Sequence, residues 1–248
     1  MKIIMQLVIL TLSLLLVDAY ADGQYCSSLV SDFKTNCTKS LITIDSCCDL
    51  RSFLASGIYK TSKGTFDKAA DTYCDMITEG GGWVVIQRNK KSSKVNFDRE
   101  WGDYEKGFGD LNTEFWYGLE EVHCLTQRGQ WEMRLDYQKN DKTWSYLHYK
   151  NFSIGSGNDE YPLTVTGFTG VGTDAFNYHS SYRPNGMKFS TSDNDNDKYS
   201  GRNCAASNMS GWWYNRCSHV NINYQPPHIA GNILFSEMKI RPKDCITQ

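Results

Sequence analysis

The stretch of this sequence that most suggests chemistry is an acidic loop, Asp193-Asn194-Asp195-Asn196-Asp197-Lys198-Tyr199-Ser200-Gly201. Its alternating carboxylates and amides supply hard oxygen ligands, which calcium prefers. An EF-hand loop does not fit, because Lys198 stands where the sharp turn needs glycine and Cys204 stands where the bidentate glutamate belongs. The stretch therefore predicts either a calcium loop of another type or a solvated acidic turn.

Nine cysteines are the second feature with chemical meaning. No Cys-x-x-Cys pair occurs, so we expect disulfides rather than a structural zinc site. Because the number of cysteines is odd, one thiol must be free or bonded to another chain. Cys204 and Cys217 flank the aromatic block Trp212-Trp213-Tyr214. A bond between them would join the acidic loop to an aromatic ligand surface. The alternative is that both tryptophans belong to the core.

The N-terminus indicates secretion. Lys2 precedes an apolar run over residues 3–17, and Ala19-Tyr20-Ala21 provides the small residues that signal peptidase reads. The run is short for a hydrocarbon core of about 30 Å, although an uncleaved anchor is the alternative. We therefore predict a signal peptide over residues 1–21, a short N-terminal segment over residues 22–45, and an extracellular mature chain.

Composition and missing motifs exclude several classes of function. The formal net charge is −2 with acids and bases mixed, so there is no basic face for nucleic acid and no polybasic patch for a membrane surface. No His-Glu-x-x-His or Gly-x-Ser-x-Gly motif occurs, so no catalytic residue is predicted and the chain is not expected to be an enzyme. Three N-x-S/T sequons are candidate glycosylation sites, at Asn36, Asn151 and Asn208.

The hydrophobic pattern predicts a domain with many strands. Alternation or short apolar runs predict strands over residues 56–59, 72–76, 83–87, 131–136, 145–152, 163–166 and 235–240. A helix is predicted over residues 114–127, with Thr113 as its N-cap and Gly129 beyond its end. Residues 166–227 show little periodicity, which is typical of a functional region or of one held by metal and disulfides.

A series of motifs then gives the sequence a family pattern. In chain order they are Cys47-Cys48-Asp49-Leu50, Ser56-Gly57-Ile58-Tyr59, Tyr73-Cys74-Asp75-Met76, Gly80-Gly81-Gly82-Trp83-Val84-Val85-Ile86-Gln87-Arg88, Asn96-Phe97-Asp98-Arg99-Glu100-Trp101, Gly107-Phe108-Gly109-Asp110-Leu111, Glu114-Phe115-Trp116, Phe189-Ser190-Thr191, Asn203-Cys204-Ala205, Gly211-Trp212-Trp213-Tyr214 and Ser236-Glu237-Met238-Lys239-Ile240-Arg241-Pro242. With these motifs the chain resembles the fibrinogen-related domain, which is the C-terminal globular domain of fibrinogen chains, ficolins and tachylectin-like proteins. The resemblance covers nearly the whole mature chain, and we assign the domain to residues 46–245.

The resemblance implies an α+β fold. We expect a fibrinogen C-terminal-like globular domain with a small N-terminal subdomain, a central antiparallel sheet with helices, and a loop-rich, calcium-binding C-terminal subdomain. It also implies one disulfide between Cys204 and Cys217 and another from Cys74 to the Cys47-Cys48 pair, where the family pattern fits Cys47 better than Cys48.

The resemblance also implies a metal site in the acidic loop. Ca²⁺ is the expected cofactor, with Asp195 and Asp197 as side-chain ligands and backbone carbonyls near Tyr199 and Gly201 completing the set.

Many members of this family bind acetylated sugars beside the calcium. The candidate ligand-binding residues that this sequence keeps are Trp212, Trp213, Tyr214, Arg216 and Cys217. If the ligand site is kept, we expect a cis peptide bond before Cys217 with an exposed aromatic face beside it. The sequence departs from the family pocket at Asn208, where tyrosine is frequent, and at Ser218, where histidine is common.

These expectations combine into one leading hypothesis of function. The chain is predicted to be a secreted, calcium-binding recognition protein, lectin-like and suited to innate defence, with a carbohydrate or acetylated ligand. The alternative is a structural protein of the matrix or clot type without sugar binding. In that case the unpaired cysteine would join chains into a disulfide-linked oligomer.

Overall fold

A computed structural model describes residues 46–50, 55–62 and 69–246. The predicted signal peptide, the segment over residues 22–45 and the sequon at Asn36 lie outside these residues. The helices are α1 (Trp101–Lys106), α2 (Leu119–Thr126) and α3 (Cys204–Asn208). The strands are β1 (Gly57–Ser62), β2 (Ala69–Asp75), β3 (Trp83–Lys90), β4 (Phe108–Gly109), β5 (Phe115–Trp116), β6 (Trp131–Lys139), β7 (Trp144–Ile154), β8 (Leu163–Phe168), β9 (Val220–Asn221), β10 (His228–Ile229) and β11 (Ile233–Pro242).

Nine of these strands form one antiparallel sheet. Its main path runs β1-β2-β3-β11-β6-β7-β8, with β4 and β5 paired beside β3, while β9 and β10 form a separate two-stranded sheet. The C-terminal strand β11 lies between β3 and β6, so the last motif of the sequence sits in the middle of the sheet. The α+β class and the central antiparallel sheet are therefore confirmed. Across the described ranges, no helix is long and apolar enough to cross a membrane.

The predicted helix over residues 114–127 begins later than expected. Phe115 and Trp116 form β5 and pair with β3 and β4. Gly118 follows with φ 111°, a backbone conformation that residues other than glycine rarely adopt. The first turn of the prediction is therefore wrong, and Thr113 is not the N-cap. The helix α2 occupies only the second half of the predicted span.

The two faces of the central strands differ sharply in chemistry, because successive side chains in a strand point to opposite faces. One face carries buried apolar side chains, such as Met133 and Leu135 on β6 and Met238 and Ile240 on β11. The other face carries a ladder of ionised side chains, which we call the charged face: Glu132, Arg134 and Asp136 on β6, with Glu237, Lys239 and Arg241 on β11. The apolar face packs on the aromatic core of the domain.

Three disulfides lie within the described part of the chain. Cys47 bonds Cys74 and Cys204 bonds Cys217, which are the two pairings that the family resemblance implies. A third bond joins Cys48 to Cys245 across a sequence separation of 197 residues. By the chain-entropy estimate a loop of that length contributes about 5 kcal/mol to folding stability. Cys124, on α2, is the free cysteine of this part of the chain.

Candidate functional site

The acidic loop runs along the approach to α3 in the loop-rich C-terminal part of the domain. Its first carboxylate, Asp193, accepts hydrogen bonds from the backbone N–H of Trp101 at 3.0 Å and from the hydroxyl of Thr191 at 2.7 Å. Asp193 therefore caps the start of α1 and fixes the beginning of the loop. The next two carboxylates, Asp195 and Asp197, are the predicted metal ligands.

Asp195 and Asp197 lie close together and are linked through the backbone. The N–H of Asp197 donates to Asp195 Oδ1 at 3.2 Å, while the carboxylate of Asp197 accepts from the N–H of Tyr199 at 2.6 Å and of Cys204 at 2.7 Å. Burial raises the pKa of Asp197 above its ordinary value, and the neighbouring Asp195 carboxylate adds to the rise, against the two backbone donors. The Asp195 carboxylate thus disfavours the ionised form of Asp197.

This donor set fits a hard divalent cation. The ion pairs of the described residues do not include Asp195 or Asp197, so no lysine or arginine neutralises their charge there. In the same part of the chain, no group of three His, Cys, Asp or Glu side chains is arranged to hold a metal. A cation here would therefore rely on the two carboxylates together with backbone carbonyls, a ligand mixture that calcium accepts.

The other two predicted metal-binding positions are on the exposed side of the loop. Tyr199 is 40% exposed, and its carbonyl accepts a hydrogen bond from the N–H of Arg202 at 3.2 Å. Gly201 lies under the Tyr199 ring, where a Cβ would come within 3.1 Å of the ring edge. The Arg202 guanidinium lies 5.4 Å from the centre of that ring and donates to Cys217 Sγ at 3.4 Å. Arg202 therefore connects the loop with the disulfide.

The disulfide between Cys204 and Cys217 anchors the loop to the next segment. Cys204 is fully buried at the start of α3, where the side chain of Asn203 accepts from the N–H of Ala206 at 2.8 Å as an N-cap. The N–H of Lys198 also donates to the carbonyl of Asn215 at 2.9 Å. A covalent bond and a backbone hydrogen bond thus couple the acidic loop to residues 215–217.

The predicted aromatic ligand surface is wrong, because Trp212, Trp213 and Tyr214 are at most 1% exposed. The indole N–H of Trp213 donates to the carbonyl of Tyr161 at 2.8 Å, and the Trp213 ring packs edge-on against Phe189 at 5.1 Å. These rings form the core beneath the loop region, which is the alternative that the sequence left open. Of the candidate ligand-binding residues, Arg216 is exposed and Cys217 is partly exposed.

The peptide bond before Cys217 is not cis, since the cis bond in the described ranges is Gln225–Pro226, so the geometry expected for a kept family ligand site is not found. Both amides at this point have internal partners. The N–H of Arg216 donates to the carbonyl of Ser181 at 3.0 Å, and the N–H of Cys217 donates to Cys204 Sγ at 3.1 Å. Neither N–H is therefore directed to a ligand at the surface.

Sequence reasoning missed a group of exposed and partly exposed rings beside this segment, which we call the aromatic patch: Tyr178, His179, Tyr182 and His219. Tyr178 is 58% exposed and stacks on His219 with ring centres 5.1 Å apart. Tyr182 is 44% exposed and lies 5.2 Å from the ring of His179. The only sequence signal was the pair of tyrosines in a polar loop, since the contact with His219 spans too many residues to infer.

The backbone holds the aromatic patch next to the disulfide. The carbonyl of Tyr182 accepts from the N–H of His219 at 3.3 Å, and the carbonyl of Ser180 accepts from the side-chain amide of Asn215 at 2.8 Å. Together with the bond from Arg216 to Ser181, these contacts align residues 178–182 along residues 215–219. The patch, the disulfide and the acidic loop therefore form one continuous region.

The two sequons within the described residues differ in accessibility. Asn151 is exposed on β7, where its amide donates to the hydroxyl of Thr166 at 3.0 Å. Asn208 is partly buried at the end of α3, where its amide donates to the carbonyl of Cys204 at 2.7 Å. Glycosylation at either position stays a prediction, and Asn151 offers the more open attachment point.

Comparison with known proteins gives the family. The family model for the C-terminal globular domain of fibrinogen beta and gamma chains matches residues 47–243. Fibrinogen-like protein 1 of Bos taurus is 41% identical over 218 residues, which cover 77% of this chain and 69% of that protein. Tenascin-R of Gallus gallus is 37% identical over 202 residues, which cover 75% of this chain but only 14% of tenascin-R.

Comparison with solved structures gives the same family. The fibrinogen-like globe domain of human ANGPTL6 matches with a TM-score of 0.74 and 32% identity, covering 80% of this chain and 95% of that one. The residues matched by the family model, 47–243, include the central sheet, the acidic loop and every cysteine of the three disulfides except Cys245. The chain belongs to the family of proteins that carry the fibrinogen C-terminal globular domain.

Proposed function

We propose that this chain is a secreted, calcium-stabilised recognition domain that binds carbohydrate or similarly acetylated ligands at the aromatic patch. The observation that carries the proposal is the exposure of Tyr178 and Tyr182 directly beside the Cys204–Cys217 segment. Tyrosine combines an apolar ring face with a hydroxyl, so it can contact the C–H face of a sugar and hydrogen-bond its substituents. The role is recognition rather than catalysis.

Several polar groups around the rings support a polar ligand. Arg216 is exposed, His179 is exposed, and His219 is partly exposed behind Tyr178. These side chains offer hydrogen-bond donors and acceptors next to aromatic faces, which is the usual composition of a small polar recognition site.

Calcium would be held by Asp195 and Asp197 and would neutralise their charge. The acidic loop would then be stabilised in the conformation in which Lys198 bonds the carbonyl of Asn215. Because residues 215–219 also hydrogen-bond residues 181 and 182 at the aromatic patch, loss of the metal should loosen the patch as well. Ligand binding is therefore expected to depend on calcium even though the ligand contacts the rings.

The test is a glycan array probed with and without EDTA. We expect acetylated glycans to bind in calcium, binding to be lost in EDTA, and a decrease of tenfold or more in Tyr178→Ala. The matched control is Trp144→Ala, which removes another exposed aromatic side chain, 61% exposed, outside the aromatic patch. Glycan binding that survives both EDTA and Tyr178→Ala would contradict the proposal.

The assembly alternative depends on an unpaired cysteine, and Cys124 is a poor candidate. Burial raises the pKa of the Cys124 thiol, and the carboxylates of Glu121 and Glu120 raise it further. Disulfide exchange proceeds through the thiolate, so this thiol reacts slowly at neutral pH. Covalent assembly would then use Cys26 or Cys37, which lie outside the described residues. Multimers on non-reducing gels that disappear in Cys26→Ser or Cys37→Ser would favour this alternative.

A further inference from the structure

A second surface, which shares no residue with the acidic loop or the aromatic patch, has the composition of a docking site. The two most exposed large apolar side chains of the described residues are Ile77, at 80%, and Trp144, at 61%. Both line the same pocket of about 450 Å³, together with Tyr73 and Phe235. The Trp144 ring meets the Phe235 ring edge-on at 5.6 Å. We call this site the Trp144 pocket.

The floor of the Trp144 pocket is part of the charged face. Lys239 Nζ lies 2.6 Å from Asp75, 2.9 Å from Asp136 and 2.9 Å from Glu237, and its side chain is only 3% exposed. Arg134 is paired with Asp136 at 2.8 Å and with Glu79 at 2.6 Å. Both cations that line the pocket are therefore directed to carboxylates of the protein itself.

The carboxylates, in contrast, remain more accessible than the lysine at the centre. The side chains of Asp136 and Glu237 are 17% and 14% exposed, against 3% for Lys239. Carboxylates also outnumber cations among the lining residues, three to two. Two further charged residues pair with this lining: Arg88 with Glu237, and Glu79 with Arg134. They carry opposite charges, so the excess of one negative charge is unchanged. The pocket therefore presents a negative floor inside an apolar and aromatic rim.

We propose that the Trp144 pocket docks a protein partner through an arginine or lysine side chain that is flanked by an apolar residue. The basic group would lie over the Trp144 ring, where a cation–π contact is favourable, and would approach the carboxylates of Asp136 and Glu237. The neighbouring apolar residue would cover Ile77, whose exposure is otherwise costly in water. Tryptophan is also enriched among the residues that contribute most to binding at protein interfaces.

The charge pattern favours this occupant over a neutral or acidic one. An acidic group would meet like charge, because Lys239 is enclosed by its three carboxylates and cannot turn outward without breaking those pairs. A purely apolar segment would bury Asp136 and Glu237 without a new partner, which is unfavourable. A basic side chain can pair with the carboxylates of the floor and also form a cation–π contact with the Trp144 ring of the rim.

The test uses random dodecapeptides displayed on phage and selected on the full mature chain in calcium. We expect enriched peptides to carry arginine or lysine beside an aliphatic or aromatic residue. As synthetic peptides, they should bind at least tenfold more weakly to Trp144→Ala and to Ile77→Ser, and weaken as salt rises. The same peptide with citrulline in place of arginine should also lose at least tenfold in affinity. Met209→Ala is the matched control, because it shortens another exposed apolar side chain, 59% exposed, outside both proposed sites, and it should bind the peptides like the unmodified protein.

Three outcomes would overturn the proposal. Peptides enriched without a basic residue would remove the charge argument, and peptides that bind equally to Trp144→Ala would lie elsewhere on the surface. Self-association of the chain in sedimentation, abolished by Trp144→Ala, would show that a second copy covers the pocket instead. Because Trp144 and Ile77 are exposed, both variants are expected to keep the melting temperature of the unmodified protein, which separates loss of binding from loss of fold.

Discussion

Replacing Lys239 by methionine should destabilise the domain strongly, and the size of the loss should depend on pH. Lys239 is nearly fully buried and neutralises Asp75, Asp136 and Glu237 at distances of 2.6 to 2.9 Å. Asp136 keeps Arg134 and Glu237 keeps Arg88 in the variant. Asp75 loses the one lysine or arginine that pairs with it among the described ion pairs.

The magnitude follows from leaving this buried charge without its partner. Removing one member of a buried ion pair typically costs about 3–5 kcal/mol. For a domain of this size that corresponds to a fall in melting temperature of roughly 6–20 °C. Lys188→Met is the matched control, because Lys188 is an exposed lysine that pairs with Glu160 at 2.7 Å. Such surface pairs contribute about 0–1 kcal/mol.

The dependence on pH gives the sharper test. Burial alone would raise the pKa of Asp75, but the charge and hydrogen bond of Lys239, with hydrogen bonds from Thr78, hold it well below its usual range. A carboxyl with a lowered folded-state pKa stabilises the fold above its unfolded pKa of about 3.9 and loses that contribution as the pH falls below it. The unmodified protein should therefore lose this stability on acidification below about pH 4.

In Lys239→Met, acidification should have the opposite effect on the contribution of Asp75 to folding stability. Without the lysine, burial disfavours the ionised carboxylate of Asp75, and protonating Asp75 at acid pH removes part of the penalty. The difference in unfolding free energy between the two proteins should therefore be largest near pH 7 and shrink toward pH 3, as measured by urea titration at several pH values. A difference that stays constant across that range would refute the electrostatic reasoning and point to a packing defect.

Three further outcomes are expected. Calcium at a hundred times its dissociation constant should stabilise the domain by about 2.7 kcal/mol. In differential scanning calorimetry, EDTA should lower the melting temperature of the unmodified protein but not that of the double variant Asp195→Ala and Asp197→Ala. Peptide mapping should recover Cys204 bonded to Cys217, and different partners would contradict the structure. Replacing both cysteines by alanine should lower the free energy of unfolding, measured by chemical denaturation, by about 2–5 kcal/mol. Trp213→Ala should cost about 3–5 kcal/mol because the ring is core, whereas an unchanged midpoint would restore the view of Trp213 as a surface residue.

The strands could be predicted from the sequence because their pattern is local. Residues 131–136 alternate between apolar and polar, and β6 follows that alternation with Met133 and Leu135 on one face. The helix was placed too early because the same local reasoning could not see that Phe115 pairs with β3. Pairing across the sheet overrode the helical pattern before Gly118.

The candidate site was less predictable because it depends on contacts between distant residues. The position of the acidic loop could be read from its alternating carboxylates and amides, whereas calcium binding there stays a prediction. The aromatic block at Trp212 could not be assigned to core or surface without knowing that Phe176 packs 6.2 Å from it. Likewise, the stacking of Tyr178 on His219 joins two segments whose sequences give no sign of each other.

The bond between Cys48 and Cys245 also has a mechanical consequence. It joins the first described helical turn to the last one, so the two ends of the domain leave it at a single covalent point. A pulling force applied through those ends would pass along the sulfur–sulfur bond rather than through the hydrogen bonds of the sheet. Tension would then extend the flanking chain while the domain between the two cysteines carries no load, and only a reductant would expose β11 and its neighbours to the force.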